Sequence, residues 1–218
     1  MTMGRRIVFL MLVLMISVGV RSPCFPDQVA KGFSISKPEW YSGDSWTFQW
    51  RDAMGESGLS VRTLVGETRL DETACFVMKT TSFVQYIAKQ DLNWVALEHN
   101  GRITNRASPS QWWFLWPLEP GKKWVRPVRF TMFDDTIEYN EIVEVDDEME
   151  SITVPAGTFR AIGITKGYSN SKNHVKAWYC PEIKNFIKVV HRRPNIFLEE
   201  LVACHLPREK VFLQRSTP

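Results

Sequence analysis

Short runs in which apolar and polar residues alternate recur along most of the chain, and they constrain its fold more than any other feature. From Trp46 to Arg51 an aromatic residue occupies every second position, which is the spacing that places apolar side chains on one face of a strand. Similar runs rich in Val, Ile, Thr and aromatic residues follow, separated by Asn-Gly, Pro-Gly, Asp-Asp and Arg-Pro-Asn turn signals. Beyond the N-terminus no run sustains helical spacing, and residues 84–89 offer one helical turn at most. The sequence therefore predicts an all-β protein of about ten strands, as one strongly curved antiparallel meander sheet or an open half barrel.

The N-terminus resembles an export signal. Arg5 and Arg6 precede an apolar run that is shorter than the roughly 20 residues of a membrane-spanning helix. We expect residues 1–19 to be a signal peptide, residues 20–38 an N-terminal extension and residues 39–218 a single β domain, in a periplasmic or secreted protein. A lipoprotein anchored through Cys24 is the less favoured alternative, because the residues before Cys24 make a poor lipidation signal, and an uncleaved anchor is a third.

Two halves of the chain resemble each other. A Gly-x-x-Trp motif that opens a strand run occurs at Gly43 and again at Gly121, and Trp94 corresponds to Trp178 in the matching later runs. The spacing indicates a duplication of one strand meander, with halves at residues 39–116 and 117–206. Chance similarity between strand runs is the alternative explanation.

The stretch from Val154 to Gly157 reads as a hairpin turn between two strand runs. Pro155 supplies the fixed φ of a type I turn, and Gly157 stands where a left-handed residue forms a bulge, which predicts a three-residue loop. A phosphate-binding loop would need several glycines before a helix, and a nucleophile turn would also lead into a helix. We therefore interpret Pro155 and Gly157 as structural turn residues.

Four motifs occur in a fixed order, at residues 43–46 (GDSW), 117–124 (PLEPGKKW), 154–159 (VPAGTF) and 178–188 (WYCPEIKNFIK). In this order they resemble uncharacterised exported bacterial β proteins, namely the TapB-like proteins or a related domain of unknown function. The resemblance covers nearly all of the chain after the signal. It implies fold and compartment and carries over no catalytic residue. Asn185 stands where that family has glycine, and we expect asparagine to hold the left-handed backbone of the hairpin.

Tryptophans are the candidate ligand-binding residues, because an indole joins a large apolar face to a polar N–H. Nine occur in the chain. Trp112, Trp113 and Trp116 cluster in one segment, and Trp94 and Trp178 lie in strand runs. Neighbouring residues of a strand point to opposite faces, so Trp112 and Trp113 cannot both fill one core. The structural alternative is that these rings fill the concave face of the sheet.

Catalytic and metal-binding patterns are weak. The acidic segment at residues 146–150 lacks the spacing of oxygen ligands and the glycine of a calcium loop, so we interpret it as a charged turn. His99, His174, His191 and His205 read as surface or turn residues, and no cysteine occupies a defined nucleophile loop. We expect no metal, no cofactor and no enzymatic activity.

Charge gives little support for nucleic acid as a partner. Removing Arg5 and Arg6 with the signal lowers the formal charge from +3 to +1, and the remaining basic residues form no stripe. The sequence thus predicts a non-catalytic, monomeric β protein that binds a lipid or another apolar or amphiphilic small molecule. The alternative is an envelope structural or interaction protein that uses exposed sheet edges and an aromatic patch to bind another envelope protein. A hydrolase is the third hypothesis.

We expect the mature protein to begin near Val20 and to fractionate with the cell envelope, because the export signal would be removed. N-terminal sequencing of protein from each cell fraction tests this. Recovery of an intact Met1 from the cytosol would contradict it.

Overall fold

The computed structural model describes residues 32–111, 113–169, 171–192 and 196–207. The predicted signal peptide, Cys24, and Trp112 therefore lie outside the described residues. Within the described ranges, twelve antiparallel strands follow one another. They are β1 (Ser45–Asp52), β2 (Ser57–Leu70), β3 (Thr73–Lys79), β4 (Val84–Ala88), β5 (Trp94–His99), β6 (Arg102–Gln111), β7 (Lys123–Met132), β8 (Asp135–Val154), β9 (Gly157–Tyr168), β10 (Ser171–Cys180), β11 (Asn185–Arg192) and β12 (Ile196–His205). In the part of the chain described here, no helix has the length and apolarity to cross a bilayer.

The strands form a closed barrel in which each pairs with its sequence neighbours and β1 pairs with β12. The ladder between β1 and β12 matches eight residues of β1, from Ser45 to Asp52, with one bulge after Thr47. The all-β prediction is confirmed, whereas the open half barrel is wrong. Closure satisfies the backbone groups that β1 and β12 would otherwise expose as edge strands.

The strand count differs from the expected ten for local reasons. Residues 84–89, expected to hold one helical turn at most, contain β4 because Val84–Ala88 pairs with both β3 and β5. Conversely, the predicted turn at residues 146–150 would divide this part of the chain into two strands, whereas β8 runs through it as a single strand of 20 residues. The duplication of residues 39–116 and 117–206 stays a prediction.

The acidic segment lies within β8 and is not the predicted turn. Val145 pairs with Ile164 and Met149 with Ile162, so Asp146, Asp147 and Glu148 form a bulge. Asp146 is paired with Lys176 at 2.8 Å, and a Cβ on Gly163 would lie 2.1 Å from an Asp146 carboxylate oxygen. The bulge therefore places a carboxylate directly over a glycine, where no other residue leaves room.

One end of the barrel is filled by apolar side chains. This end carries the turns at residues 71–72, 89–93, 155–156 and 181–184. The largest fully buried side chains there share one cluster and include Trp46, Phe48, Leu64, Leu118, Ile162, Tyr179 and Ile187. We refer to this half as the filled end.

The segment between β6 and β7 helps to fill that end. The buried side chain of Asn93 holds it, since its amide donates to the Phe114 carbonyl at 2.9 Å and its oxygen accepts the Trp113 and Phe114 N–H groups. Phe114 then stacks on Trp116 and on Phe186. A polar residue thus satisfies backbone groups that the core would otherwise leave without partners.

The turn from β8 to β9 is shorter than predicted. Val154 pairs with Gly157, which leaves Pro155 and Ala156 as a two-residue loop. Gly157 has φ +136°, beyond the left-handed region that asparagine tolerates. At the turn from β10 to β11 the left-handed residue is Lys184 with φ 59°, and not Asn185 as the resemblance implied, because Asn185 already pairs with Cys180 in β11.

We expect Gly157→Ala to lower the free energy of unfolding by about 1–3 kcal/mol, because only glycine adopts this φ without strain. A Cβ there would lie 3.6 Å from the Phe159 ring, an ordinary contact, so the cost is backbone strain. Gly157→Asn should lose a similar amount. Gly66→Ala is the matched control, since its added Cβ meets no atom within 4 Å and its φ is not positive. Thermal and urea melts showing all three variants equal to the wild type would contradict the assignment.

Candidate functional site

The barrel half opposite the filled end is lined differently. Strand pairing shows which residues share the inward face with the buried Phe48, Met78 and Val143. Toward this end many such residues are only partly buried, so solvent reaches them, and eleven of them are used to define the lining. They are Trp50, Ser60, Arg62, Gln85, Leu97, Asn105, Phe130, Tyr139, Tyr168, His191 and Phe197. We call this lining the cup, and its mix of aromatic, amide and charged groups is amphiphilic.

A buried ion pair lies at the inner side of the cup. Lys166 of β9 is 2% exposed and Glu141 of β8 is 0% exposed, and the Lys166 Nζ lies 3.5 Å from Glu141 Oε1. Arg126 of β7 stands directly opposite Glu141 in the ladder. Burying a charged group is costly unless an opposite charge compensates it. The Glu141 carboxylate compensates the positive charges of Lys166 and Arg126, which allows the three groups to lie together.

Aromatic rings surround the lysine. Its Nζ lies 4.3 Å from the centroid of Trp113 and 5.8 Å from that of Tyr168, both within the range of cation–π attraction. Burial lowers the pKa of Lys166, while the Glu141 carboxylate opposes that change. Tyr168 also meets Tyr139 edge to face at 5.3 Å. The lysine thus has an aromatic environment that continues into the cup.

Arg126 belongs to this cluster and also lines a cleft in the barrel wall. Trp94 pairs with Gln111 but Ala96 pairs with Arg106, so residues 107–110 leave the ladder with β5. A cleft of about 240 Å³ lies at this gap. Its lining includes Asp91, Arg106 and Arg126. Burial lowers the pKa of Arg126, and the carboxylates of Asp91 and Glu141 act in the opposite direction.

A second charge pair lies in the cup on the β1, β2 and β12 side. The Arg62 Nη2 lies 2.6 Å from Glu199 Oε1, with both side chains largely buried, and the Arg62 guanidinium covers Phe48 at 4.5 Å. Nearer the opening, Trp50 stacks on Phe197 at 5.9 Å. The cup therefore pairs aromatic surface with charged groups on two opposing walls.

The predicted tryptophans separate into three environments. Trp94 faces inward and stacks on Phe130 of the cup at 6.0 Å. Trp113 and Trp116 are partly buried against the core, and Trp116 donates its Nε1–H to the Asp91 carbonyl at 2.8 Å. Trp178 faces outward, and its Nε1 donates to Glu150 at 2.5 Å. The structure thus brings Trp94 and Trp113 near the cup and places Trp178 on the outer wall.

Within the described residues, no three His, Cys, Asp or Glu side chains come together as a metal site would require. Burial raises the pKa of the Cys75 and Cys180 thiols, which is the reverse of what activates a cysteine nucleophile. No disulfide joins Cys180 and Cys204.

Sequence reasoning missed Arg126, Glu141 and Lys166. The pattern that could have revealed Lys166 is the alternation of β9, in which Ile162, Ile164 and Lys166 occupy every second position. A lysine at an apolar position of that pattern points into the core, where it needs a carboxylate partner. The pattern alone could not say that Glu141 supplies it.

No protein-family model and no curated protein matches the chain. Among solved structures, a candidate lipoprotein from Parabacteroides distasonis has a TM-score of 0.40 at 14% identity over 79% of this chain and 100% of its own. A candidate exported protein with YmcC-like fold from Bacteroides fragilis has a TM-score of 0.42 at 11% identity over 80% and 100%. The hypothetical lipoprotein YmcC from Escherichia coli has a TM-score of 0.35 at 9% identity over 75% and 85%. Such low scores establish neither a common fold nor a function, and the TapB-like resemblance stays a prediction.

We expect Glu141→Gln to lower the free energy of unfolding by about 3 kcal/mol, because the amide no longer balances the buried charges of Lys166 and Arg126. Lys166→Met should cost less, since Glu141 keeps Arg126 opposite it. Guanidinium denaturation at neutral pH measures both. Equal losses would show that the carboxylate is not the centre of the cluster.

The Glu141→Gln variant should also respond to pH. Burial lowers the pKa of Lys166, and loss of the carboxylate lowers it further. The unfolded chain then binds more protons than the folded chain in the alkaline range, so stability rises with pH there. Between neutral pH and about pH 10, the variant should regain stability relative to the wild type. A constant difference across this range would contradict a buried, charged lysine.

Proposed function

We propose that this is a non-catalytic binding protein of the cell envelope that holds an amphiphilic ligand in the cup. The observation that carries the proposal is the contrast between the two barrel halves. One half is filled by large apolar side chains, whereas the inward-facing side chains that line the cup in the other half are partly exposed to solvent. Mouths of β-barrels are frequent ligand sites, because the wall supplies a rigid concave surface.

The lining supports an amphiphile more than a purely apolar ligand. Phe130, Tyr139 and Tyr168 offer ring faces to an apolar chain or ring. The Gln111 Nε2 donates to the Tyr139 Oη at 2.9 Å, so polar groups lie within the same lining. Gln85 and Asn105 add partly exposed amides that a polar head group can contact, and the buried Lys166–Glu141 pair lies farther in. A hydrocarbon without a head group would displace water from these amides without replacing its hydrogen bonds.

An envelope interaction protein is the second candidate. Because β1 pairs with β12, neither is an edge strand. The hypothesis of docking through exposed sheet edges therefore does not apply to these two strands. The outer wall does carry exposed apolar side chains in register, since Val125 of β7 lies opposite Ile142 of β8, with exposures of 64% and 45%. These residues favour contact through a wall and not through an edge.

Ligand binding is tested with a dansyl-labelled undecanoic acid, whose fluorescence rises when it leaves water. Ser60 lies opposite Phe48 on the inward face, so Ser60→Trp adds a ring inside the cup. Its neighbour Val61 faces outward and is 43% exposed, so Val61→Trp adds the same ring outside. We expect Ser60→Trp to weaken binding about tenfold or more and Val61→Trp to leave it unchanged.

Thermal melts of both variants establish that each retains the fold. Native mass spectra of protein purified from its own envelope should also show a bound mass that Ser60→Trp reduces. Equal probe affinity in both folded variants would place the ligand outside the cup. Absence of probe binding together with absence of any bound mass would favour the interaction protein.

A further inference from the structure

A separate concave site lies on the outer wall, away from the cup. It is a groove of about 260 Å³ over β9, β10 and β11. We call it the outer groove, and it is lined by Thr165, His174, Lys176, Trp178, Val190 and Arg192. Strand register explains the grouping. Lys176 pairs with Thr165 on one side and Val190 on the other, and His174 pairs with Gly167 and Arg192.

Glycine in β9 gives the groove its depth. Gly167 lies opposite His174, and a Cβ on Gly167 would meet no atom within 4 Å. The space above the sheet is therefore open at this position. Gly163, opposite Trp178, differs because Asp146 and Lys176 occupy the space above it. The groove is thus open beside Gly167 and bounded by a charge pair beside Gly163.

The lining combines an indole with basic groups. None of the described lining residues is acidic, whereas His174, Lys176 and Arg192 are basic. The neighbouring carboxylates already have partners, since Asp146 contacts Lys176 at 2.8 Å and Glu150 accepts from the Trp178 indole at 2.5 Å. The second pairing also fixes the orientation of the ring.

We propose that the outer groove binds a carboxylated sugar unit of an acidic glycan. The Trp178 indole and Val190 provide an apolar wall for the C–H face of a sugar ring. Arg192 supplies a fork of donors that matches a carboxylate, and the Thr165 hydroxyl and Lys176 ammonium can bond ring hydroxyls. A volume slightly below that of common drug-sized pockets suits one sugar unit.

An inorganic anion alone explains less of the site. A phosphate would use the basic groups but would leave the indole and Val190 without a partner. A neutral sugar would use the indole but would bring no anion to Arg192 and His174, whereas Lys176 already pairs with Asp146. A sugar ring that carries a carboxylate contacts both kinds of group at once.

The test is a titration of the full protein with oligogalacturonate, followed by calorimetry. The matched neutral probe is the methyl-esterified oligomer, and inorganic phosphate is the anion control. We expect the acid form to bind about tenfold or more tightly than the ester, and phosphate to compete weakly. Trp178→Ala and Arg192→Gln should each weaken binding by a similar factor.

Lys123→Gln is the control variant. Lys123 is a basic residue of β7 on the outer wall that pairs with Glu144 of β8, and both lie outside the groove. The variant should bind as the wild type does. Arg192 is exposed at the end of β11, so Arg192→Gln should fold even if Trp178→Ala does not. Equal binding of acid and ester, full competition by phosphate, or an equal loss in Lys123→Gln would each overturn the proposal.

Discussion

The ladder between β1 and β12 is the constraint on which the rest of the structure depends. It joins the first and last strands of the barrel, and it turns a twisted meander into a closed wall. Once the wall is closed, every strand has one inward and one outward face, so alternation along the sequence becomes a division between interior and exterior. The bulge after Thr47 adjusts the register so that Phe48 and Leu201 both remain buried.

A wall of twelve strands encloses more space than single side chains of one layer can fill. At one end this space is filled by the chain itself, through the segment that Asn93 holds by three hydrogen bonds. At the other end no comparable segment is seen among the described residues, and the inward side chains are partly exposed. Phe33, Ile35 and Trp40, which precede β1, pack into the same core, so the difference between the ends is a consequence of these two segments and not of the strands.

Charge burial distinguishes the interior from an ordinary apolar core. Arg126, Glu141 and Lys166 come from three adjacent strands and face the same space. Such groups are costly to bury, and a buried ion pair does not by itself stabilise a fold, so the cluster supports the proposal that the cup binds a ligand. The outer groove has a different chemistry, because its lysine and indole are paired with carboxylates at its rim.

The sequence by itself determined where most strands and turns lie, because period-two alternation and turn residues are local properties. It also determined which side chains share a face, as Trp46 and Phe48 show. Only the tertiary structure decided that the sheet closes, that Val84–Ala88 is a strand, and which tryptophans meet the cup. Local periodicity is the same for an open and a closed sheet, since closure depends on strand twist and register summed over twelve strands. The pairing of Lys166 with Glu141 likewise joins residues 25 positions apart, and only their register in the ladder brings them together.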